Sequence, residues 1–264
     1  MSTGSRRSVA AALVVAAIWL VASGTHAAEI RVMSSGGFAT AYRKLAPQFE
    51  RATGNRLTSE WGPSMGNTPE AIPARLRRGE AADALIMVGT ALGDLIAQGS
   101  VVAASRVDLA RSAIAVAVRA GAPKPDIGSV DALRRALIAA QSVAYSDSAS
   151  GVYVSTELFT RLGIAEQMRG KSRVIPAEPV AAAVARGEAE IGFQQLSELL
   201  PVRGIDIVGP LPPEVQKITL FSAGVVAGAR EPDGAAALIA FLASDAAAPA
   251  IAESGLEPMM SAPK

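Results

Sequence analysis

Short apolar runs alternate with stretches in which apolar residues recur every three or four positions. Ile30-Arg31-Val32-Met33 has the length of a strand. After the turn Ser34-Ser35-Gly36-Gly37, residues Phe38, Ala41, Leu45 and Phe49 share one face of a helix expected over 38–53, which Gly54 stops. The alternation continues with a strand over 57–61, a loop over 62–67 and a helix containing Ile72 and Leu76 that ends at Gly79. Residues 83–88 form a near-continuous apolar run, the pattern of a strand covered on both faces, and a helix over 92–98 follows it.

Further along, strands are expected at 113–118, 143–145, 174–175, 191–193, 205–208 and 219–227. Helices are expected at 130–140, 151–162, 180–186, 235–242 and 249–254. A repeated strand–loop–helix order points to the α/β class with mostly parallel sheets. Two such units can be drawn, 28–112 and 113–218. Residues 219–264 read as the completion of the first, because their strand and helices would otherwise have nothing to cover. The chain then crosses between lobes twice, at 112–120 and 219–227.

The first 27 residues stand apart. Arg6 and Arg7 precede an apolar run over 9–22, and small residues surround Thr25-His26-Ala27-Ala28. This is the pattern of a secretory signal peptide cleaved after Ala27. The run is shorter than the roughly 20 residues that span a bilayer, which argues against an anchor. The mature protein is expected in a bacterial periplasm and not embedded in the membrane.

Cleavage narrows the chemistry. The one histidine, His26, leaves with the signal, and the chain has no cysteine. Ser-His-Asp and Cys-His nucleophilic sites, thiolate and His-based zinc sites and disulfides are thereby excluded. The 264 residues are half apolar with a formal net charge of +1. That suffices for a sizeable core and leaves no electrostatic footprint for nucleic acid.

Four loops share a design: each follows a strand and precedes a helix. They are Ser34-Ser35-Gly36-Gly37, Pro63-Ser64-Met65-Gly66, Ser148-Ala149-Ser150-Gly151 and Ala177-Glu178-Pro179. Helix N-termini present unpaired N–H groups, serine adds a hydroxyl, and glycine lets a ligand approach the backbone. Each loop alone reads equally well as an ordinary cap or turn. Together, at the carboxyl ends of strands on two lobes, they suggest a site for a small anion.

The chain resembles the periplasmic molybdate-binding proteins of the type II solute-binding fold. The resemblance spans the whole mature chain and rests on Ile30-Arg31-Val32, on 77–83 (RRGEAAD), on Ser150-Gly151-Val152-Tyr153 and on Ile191-Gly192-Phe193. That family holds its oxyanion with two loop serines, two backbone amides and a tyrosine hydroxyl. The corresponding positions here are Gly37, Ser64, the amides near Ser150 and Val180, and Gln195. Two of the three hydroxyls are missing, which argues against molybdate; Ser35 is a possible substitute for the first.

The segments MSSGGF, GPSMG, IMVG, GAPKPDI, YSDSASGVY and IGFQQ together resemble the aconitate isomerase branch of this fold. That resemblance implies interconversion of trans- and cis-aconitate without a cofactor. The reaction is an allylic proton shift, which needs carboxylate binding, donors for the extra charge and one acid/base group. The binding set is then Ser35, Gly36, Gly37, Ser64, Met65, Gly66, Ser150, Gly151, Val152, Tyr153, Pro179, Val180, Gln194 and Gln195. Asp147 and Tyr145 are the candidate proton-transfer groups, with Tyr153 and Glu178 nearby. Arg31, Arg43, Lys44 and Lys217 are candidate counter-charges. The alternatives are a passive carboxylate or oxyanion receptor serving an ABC permease, and a ligand sensor acting on a membrane receptor.

Overall fold

The apolar runs assemble into two sheets, one per lobe. The computed structural model describes residues 27–66, 68–176 and 178–259. The expected signal segment with His26, the loop residues Asn67 and Ala177, and 260–264 lie outside the described residues.

In chain order the elements are β1 (Glu29–Ser34), α1 (Gly36–Thr53), β2 (Arg56–Trp61), α2 (Ile72–Arg77), β3 (Ala84–Val88), α3 (Gly89–Ala97), β4 (Val107–Ser112) and β5 (Ile114–Arg119). Next come α4 (Val130–Ala139), β6 (Val143–Ser146) and α5 (Ala149–Tyr153). α5 runs through a π turn (Val154–Leu158) into α6 (Phe159–Arg161). Then follow α7 (Ala165–Met168), β7 (Ser172–Ile175), α8 (Val180–Ala185), β8 (Ile191–Gln195), α9 (Leu196–Leu199), β9 (Ile205–Pro210), β10 (Thr219–Val225), α10 (Pro232–Leu242), α11 (Ala248–Ala252) and β11 (Glu257–Pro258).

The first sheet has the order β11-β4-β10-β3-β1-β2 and the second β7-β6-β8-β5-β9. Both are more mixed than the expected parallel pattern. The trios β2-β1-β3 and β7-β6-β8 are parallel, while β10 runs antiparallel to β3 and β4, and β5 runs antiparallel to β8 and β9. The cause is the connection between lobes. The chain leaves the first sheet from β4 through Ala113 into β5 and returns from β9 over 211–218 into β10. Outgoing and returning strands lie side by side in each sheet and so run in opposite directions.

β3 is buried at all five positions, flanked by α1, α3 and α10. Each such Leu, Ile or Val contributes about 1.5–3 kcal/mol. The first core joins Ile30, Phe38, Leu45, Phe49 and Leu85 to Leu238 and Leu242 of α10. The second lobe has one cluster around Leu133, Phe159 and Phe193, and smaller ones around Val180 and Leu199.

α1 begins two residues earlier than the turn pattern suggests, and this shapes the site. Gly36 and Gly37 form its first turn, where their neighbours leave no room for side chains. A Cβ at Gly37 would lie 2.1 Å from Cζ of Phe221, and one at Gly36 would lie 2.5 Å from Oε1 of Glu198. Ser35 thereby becomes the N-cap, and Gly54, at φ 77°, closes the helix by donating to Glu50 O.

Candidate functional site

The carboxyl ends of β1, β2, β3, β6 and β8 converge on a cavity of about 310 Å³ between the lobes. The first lobe contributes Ser35, Gly36 and Gly37 at the start of α1, Trp61 to Pro63 after β2, and Val88. The second contributes 146–150, Glu178, Pro179, Gln194, Gln195 and Glu198. Phe221 of the returning strand β10 completes the wall.

Several residues expected at the site instead brace it. Ser64 is fully buried, and its Oγ accepts the Val88 N–H at 2.9 Å, pinning the second loop to the end of β3. Met65 packs on the first core, and Gly66 sits at φ 98° opposite the Asp147 carbonyl. Gly151 lies behind the lining, where a Cβ would fall 1.6 Å from Ser146 O, so only glycine lets the helix start there. Val152 faces outward. Tyr153 donates its hydroxyl to Val215 O at 2.6 Å and accepts from Arg161, and Tyr145 packs edge-on against Phe159. Neither tyrosine lines the cavity. The Val180 N–H, expected to be free for an anion, donates to Gln194 Oε1 at 2.9 Å.

The residues that do line the cavity have unmet hydrogen-bonding capacity. Among the described residues, four buried side-chain polar atoms lack a partner: Ser35 Oγ, Asp147 Oδ2, Gln195 Oε1 and Ser112 Oγ. The first three belong to cavity-lining residues. Leaving a buried polar atom unpaired costs about 1–3 kcal/mol, so three at one place mark a site built to be filled. Gln195 is held by its other end, with Nε2 donating to Thr219 Oγ1 at 2.7 Å. Ser150 Oγ shares a hydrogen bond with Ser146 Oγ at 3.0 Å.

Glu198 was not anticipated from the sequence. It sits on α9, three residues after Gln195, so that one helical turn brings it back over the end of β8. It faces the cavity, yet its carboxyl is enclosed deeply enough that burial raises its pKa to about 7. Hydrogen bonds from the Gln194 side chain and the Gln195 backbone N–H pull the other way, and the Asp147 charge adds to the rise. Glu178, in contrast, is held below the usual carboxylate range by hydrogen bonds from Arg186, at 2.7 and 3.0 Å.

Among the described residues no Lys or Arg lines the cavity. Lys44 pairs with Glu253, Lys217 lies over the Tyr153 ring, and Arg31 borders cavities elsewhere on the first lobe. Arg43 stacks 4.5 Å from the centre of the lining residue Trp61 without itself lining the cavity. Among the described residues no group of three or more Asp or Glu side chains is arranged to hold a metal ion, and no helix is long and apolar enough to cross a membrane.

Comparison with known proteins agrees with this architecture. The chain is 55% identical over 234 residues to an aconitate isomerase from Pseudomonas sp, covering 89% of each chain. It is 26% identical over 184 residues to the molybdate-binding protein ModA of Azotobacter vinelandii, covering 68% of this chain and 69% of that one. The solved periplasmic molybdate-binding protein of that organism superposes with a TM-score of 0.69 at 20% identity, over 89% of this chain and 100% of its own. Residues 30–257 match the model of the bacterial extracellular solute-binding proteins, and the chain belongs to that family.

Proposed function

We propose that this chain is a periplasmic aconitate isomerase that interconverts trans- and cis-aconitate by a cofactor-free allylic proton shift. The observation that carries the reading is the cavity, which combines unpaired donors and acceptors with a carboxyl group whose pKa lies near neutrality. The 55% identical relative bearing that name supports the choice of reaction. Export rests on the family match and on the signal pattern of the first 27 residues.

In this reading the tricarboxylate enters with one carboxylate at the start of α1. There Ser35 Oγ and the N–H groups of Gly36 and Gly37 supply donors, and the 18-residue helix supplies partial positive charge. A second carboxylate meets the N–H groups and hydroxyls of 148–150, at the start of the helical run over 149–161. With no Lys or Arg lining the cavity among the described residues, these fixed dipoles carry the stabilisation of the negative charge that spreads over the allyl system. Enclosure strengthens each of them by excluding water.

The test is direct. Purified mature protein is mixed with trans-aconitate, and the cis isomer is followed by chromatography; accumulation to a constant ratio from either isomer is expected. Tight binding of a carboxylate or of molybdate with no turnover would refute the isomerase and favour a passive receptor that hands its ligand to an ABC permease.

A further inference from the structure

The isomerisation needs a group that accepts a proton from carbon and gives one back, and four carboxylates line the cavity: Glu70, Asp147, Glu178 and Glu198. Their surroundings separate them. Glu70 is exposed to solvent. Glu178 is committed to Arg186, which keeps it ionised and weakly basic. Asp147 projects from the loop after β6, with one oxygen unpaired. Glu198, half-buried as a residue and in no ion pair among the described residues, is the one of the four whose carboxyl is enclosed by Gln194, Gln195 and the first turn of α1 so that burial raises its pKa.

We propose that Glu198 is the catalytic acid/base of the allylic proton shift, with Gln194 as its positioning residue. The assignment rests on the isomerase reading above. Its geometry is specific. Oε1 of Glu198 occupies the space that a side chain at residue 36 would fill, so the carboxyl lies against the first turn of α1, where a substrate carboxylate is expected to dock. Ser197, the preceding residue, donates to Gly37 O at 2.7 Å and locks α9 onto that same turn. Gln194 uses its Oε1 to accept the Val180 N–H, which leaves its amide NH₂ to hold the Glu198 carboxyl.

The step balances on one residue. The Glu198 carboxylate takes a proton from the substrate methylene carbon: that C–H bond breaks, an O–H bond forms on Glu198, and the electron pair spreads over the allyl system onto a flanking carboxylate. A C–H bond then forms at the other end of the allyl system, the double bond has moved, and Glu198 is again a carboxylate. No electron is gained or lost overall.

Burial supplies a basicity suited to neutral pH, because an ordinary carboxylate near pKa 4.5 is a poor base toward carbon. The groups that face Glu198 are few. The first turn of α1 carries no acidic residue, the other charges lining the cavity are Asp147, Glu178 and Glu70, and among the described residues no lining cation opposes the rise.

The experiment compares wild type with Glu198→Gln, Glu198→Asp and Asp147→Asn in D₂O, following isomerisation and deuterium entry into trans-aconitate by NMR. Binding is measured by calorimetry. Glu198→Gln is expected to lose both isomerisation and exchange by about 10²–10⁴-fold while still binding trans-aconitate. Asp147→Asn tests the competing carboxylate: loss of deuterium entry in Asp147→Asn with exchange retained in Glu198→Gln would overturn the assignment. Glu198→Gln activity within tenfold of wild type would overturn the assignment.

If Glu198→Gln fails to fold, Glu198→Asp decides. A kcat reduced at least tenfold with KM within threefold, and a displaced acidic limb of the pH–rate profile, support the assignment; an unchanged kcat and limb overturn it. Wild-type protein that neither isomerises nor exchanges would instead refute the isomerase reading, and the assignment with it.

Discussion

The two walls of the cavity differ in kind. On the first lobe, Ser35, Gly36 and Gly37 present a hydroxyl and backbone N–H groups, with no acidic residue in the first turn of α1. On the second, the loop after β6, the start of α8 and α9 bring Asp147, Glu178 and Glu198 to the same space. A receptor for an oxyanion has reason to place donors on both sides and none to bury an unpaired carboxyl beside its ligand, since that repels charge and costs stability. The donor wall of the first lobe faces a wall that adds acidic groups to the donors of 148–150, which suits a molecule that must be held and also exchange a proton. The glycines divide in the same way. Gly36 and Gly37 make room for side chains, whereas Gly151 makes room for the backbone of Ser146.

The largest effect is expected where that last contrast is tested. A Cβ at residue 151 would sit 1.6 Å from Ser146 O and 2.6 Å from its carbonyl carbon. Both atoms belong to the end of β6 and have no rotamer into which to escape. Gly151→Ala is therefore expected to lose more than about 3 kcal/mol, beyond the usual range for a surface substitution. Gly36→Ala meets only the flexible end of Glu198 and should cost much less stability while displacing the carboxyl. Urea unfolding of the two variants checks the difference; equal midpoints would show that the second-lobe loop yields as readily as a side chain.

The next prediction concerns the acidic wall. The folded-state pKa of Glu198 is about 7, against 4.5 in the unfolded chain. Between those values the native protein keeps a proton that the unfolded chain has released, so stability falls as pH rises through this window. The full penalty is present above pH 7 and absent below pH 4.5. At about 1.4 kcal/mol per pKa unit it reaches roughly 2–3 kcal/mol, allowing for partial access from the cavity. Glu198→Gln removes the charge, so its Tm should exceed that of wild type by several degrees at pH 8 and converge with it near pH 4.5. A constant gap across that range would contradict a buried, ionising Glu198.

Much of this arrangement was legible in the sequence. Apolar runs such as 83–88 and 191–193 located the central strands, and the Ser/Gly punctuation located the loops at their ends. β4 escaped because Asp108 and Arg111 interrupt its pattern, and its place in the sheet is set by its neighbours β10 and β11. Gly36 and Gly37 read as a turn, since nothing local tells that Phe221 and Glu198 exclude larger residues there. Tyr145 and Tyr153 had suitable chemistry next to the right loop, but alternation along β6 and the pitch of the helix turn them into the second lobe's core. Glu198 lay in the run 196–200 (LSELL) as an ordinary helical glutamate. Its role depends on what encloses it, which is set by α1, 160 positions away between Gly37 and Ser197.

The smallest expected effect is also the most discriminating test of the donor wall. Ser35 and Ser64 both follow strands of the first lobe and both are buried, at 3% and 0% exposure. Ser64 Oγ serves the fold, accepting the Val88 N–H. Ser35 Oγ has no partner in the protein and lines the cavity. Ser64→Ala leaves a buried N–H unpaired and should cost about 1–3 kcal/mol of stability, with ligand affinity little changed. Ser35→Ala removes an orphaned hydroxyl and should leave stability no lower than wild type, with a gain of up to about 1–3 kcal/mol. If that hydroxyl donates to a substrate carboxylate, the same variant weakens trans-aconitate binding by about 1–2 kcal/mol, roughly 5- to 30-fold. Calorimetric titration beside urea unfolding reads both quantities for both serines. A Ser35→Ala protein that binds as tightly as wild type would remove the hydroxyl from the donor wall and leave the anion to the backbone of Gly36 and Gly37.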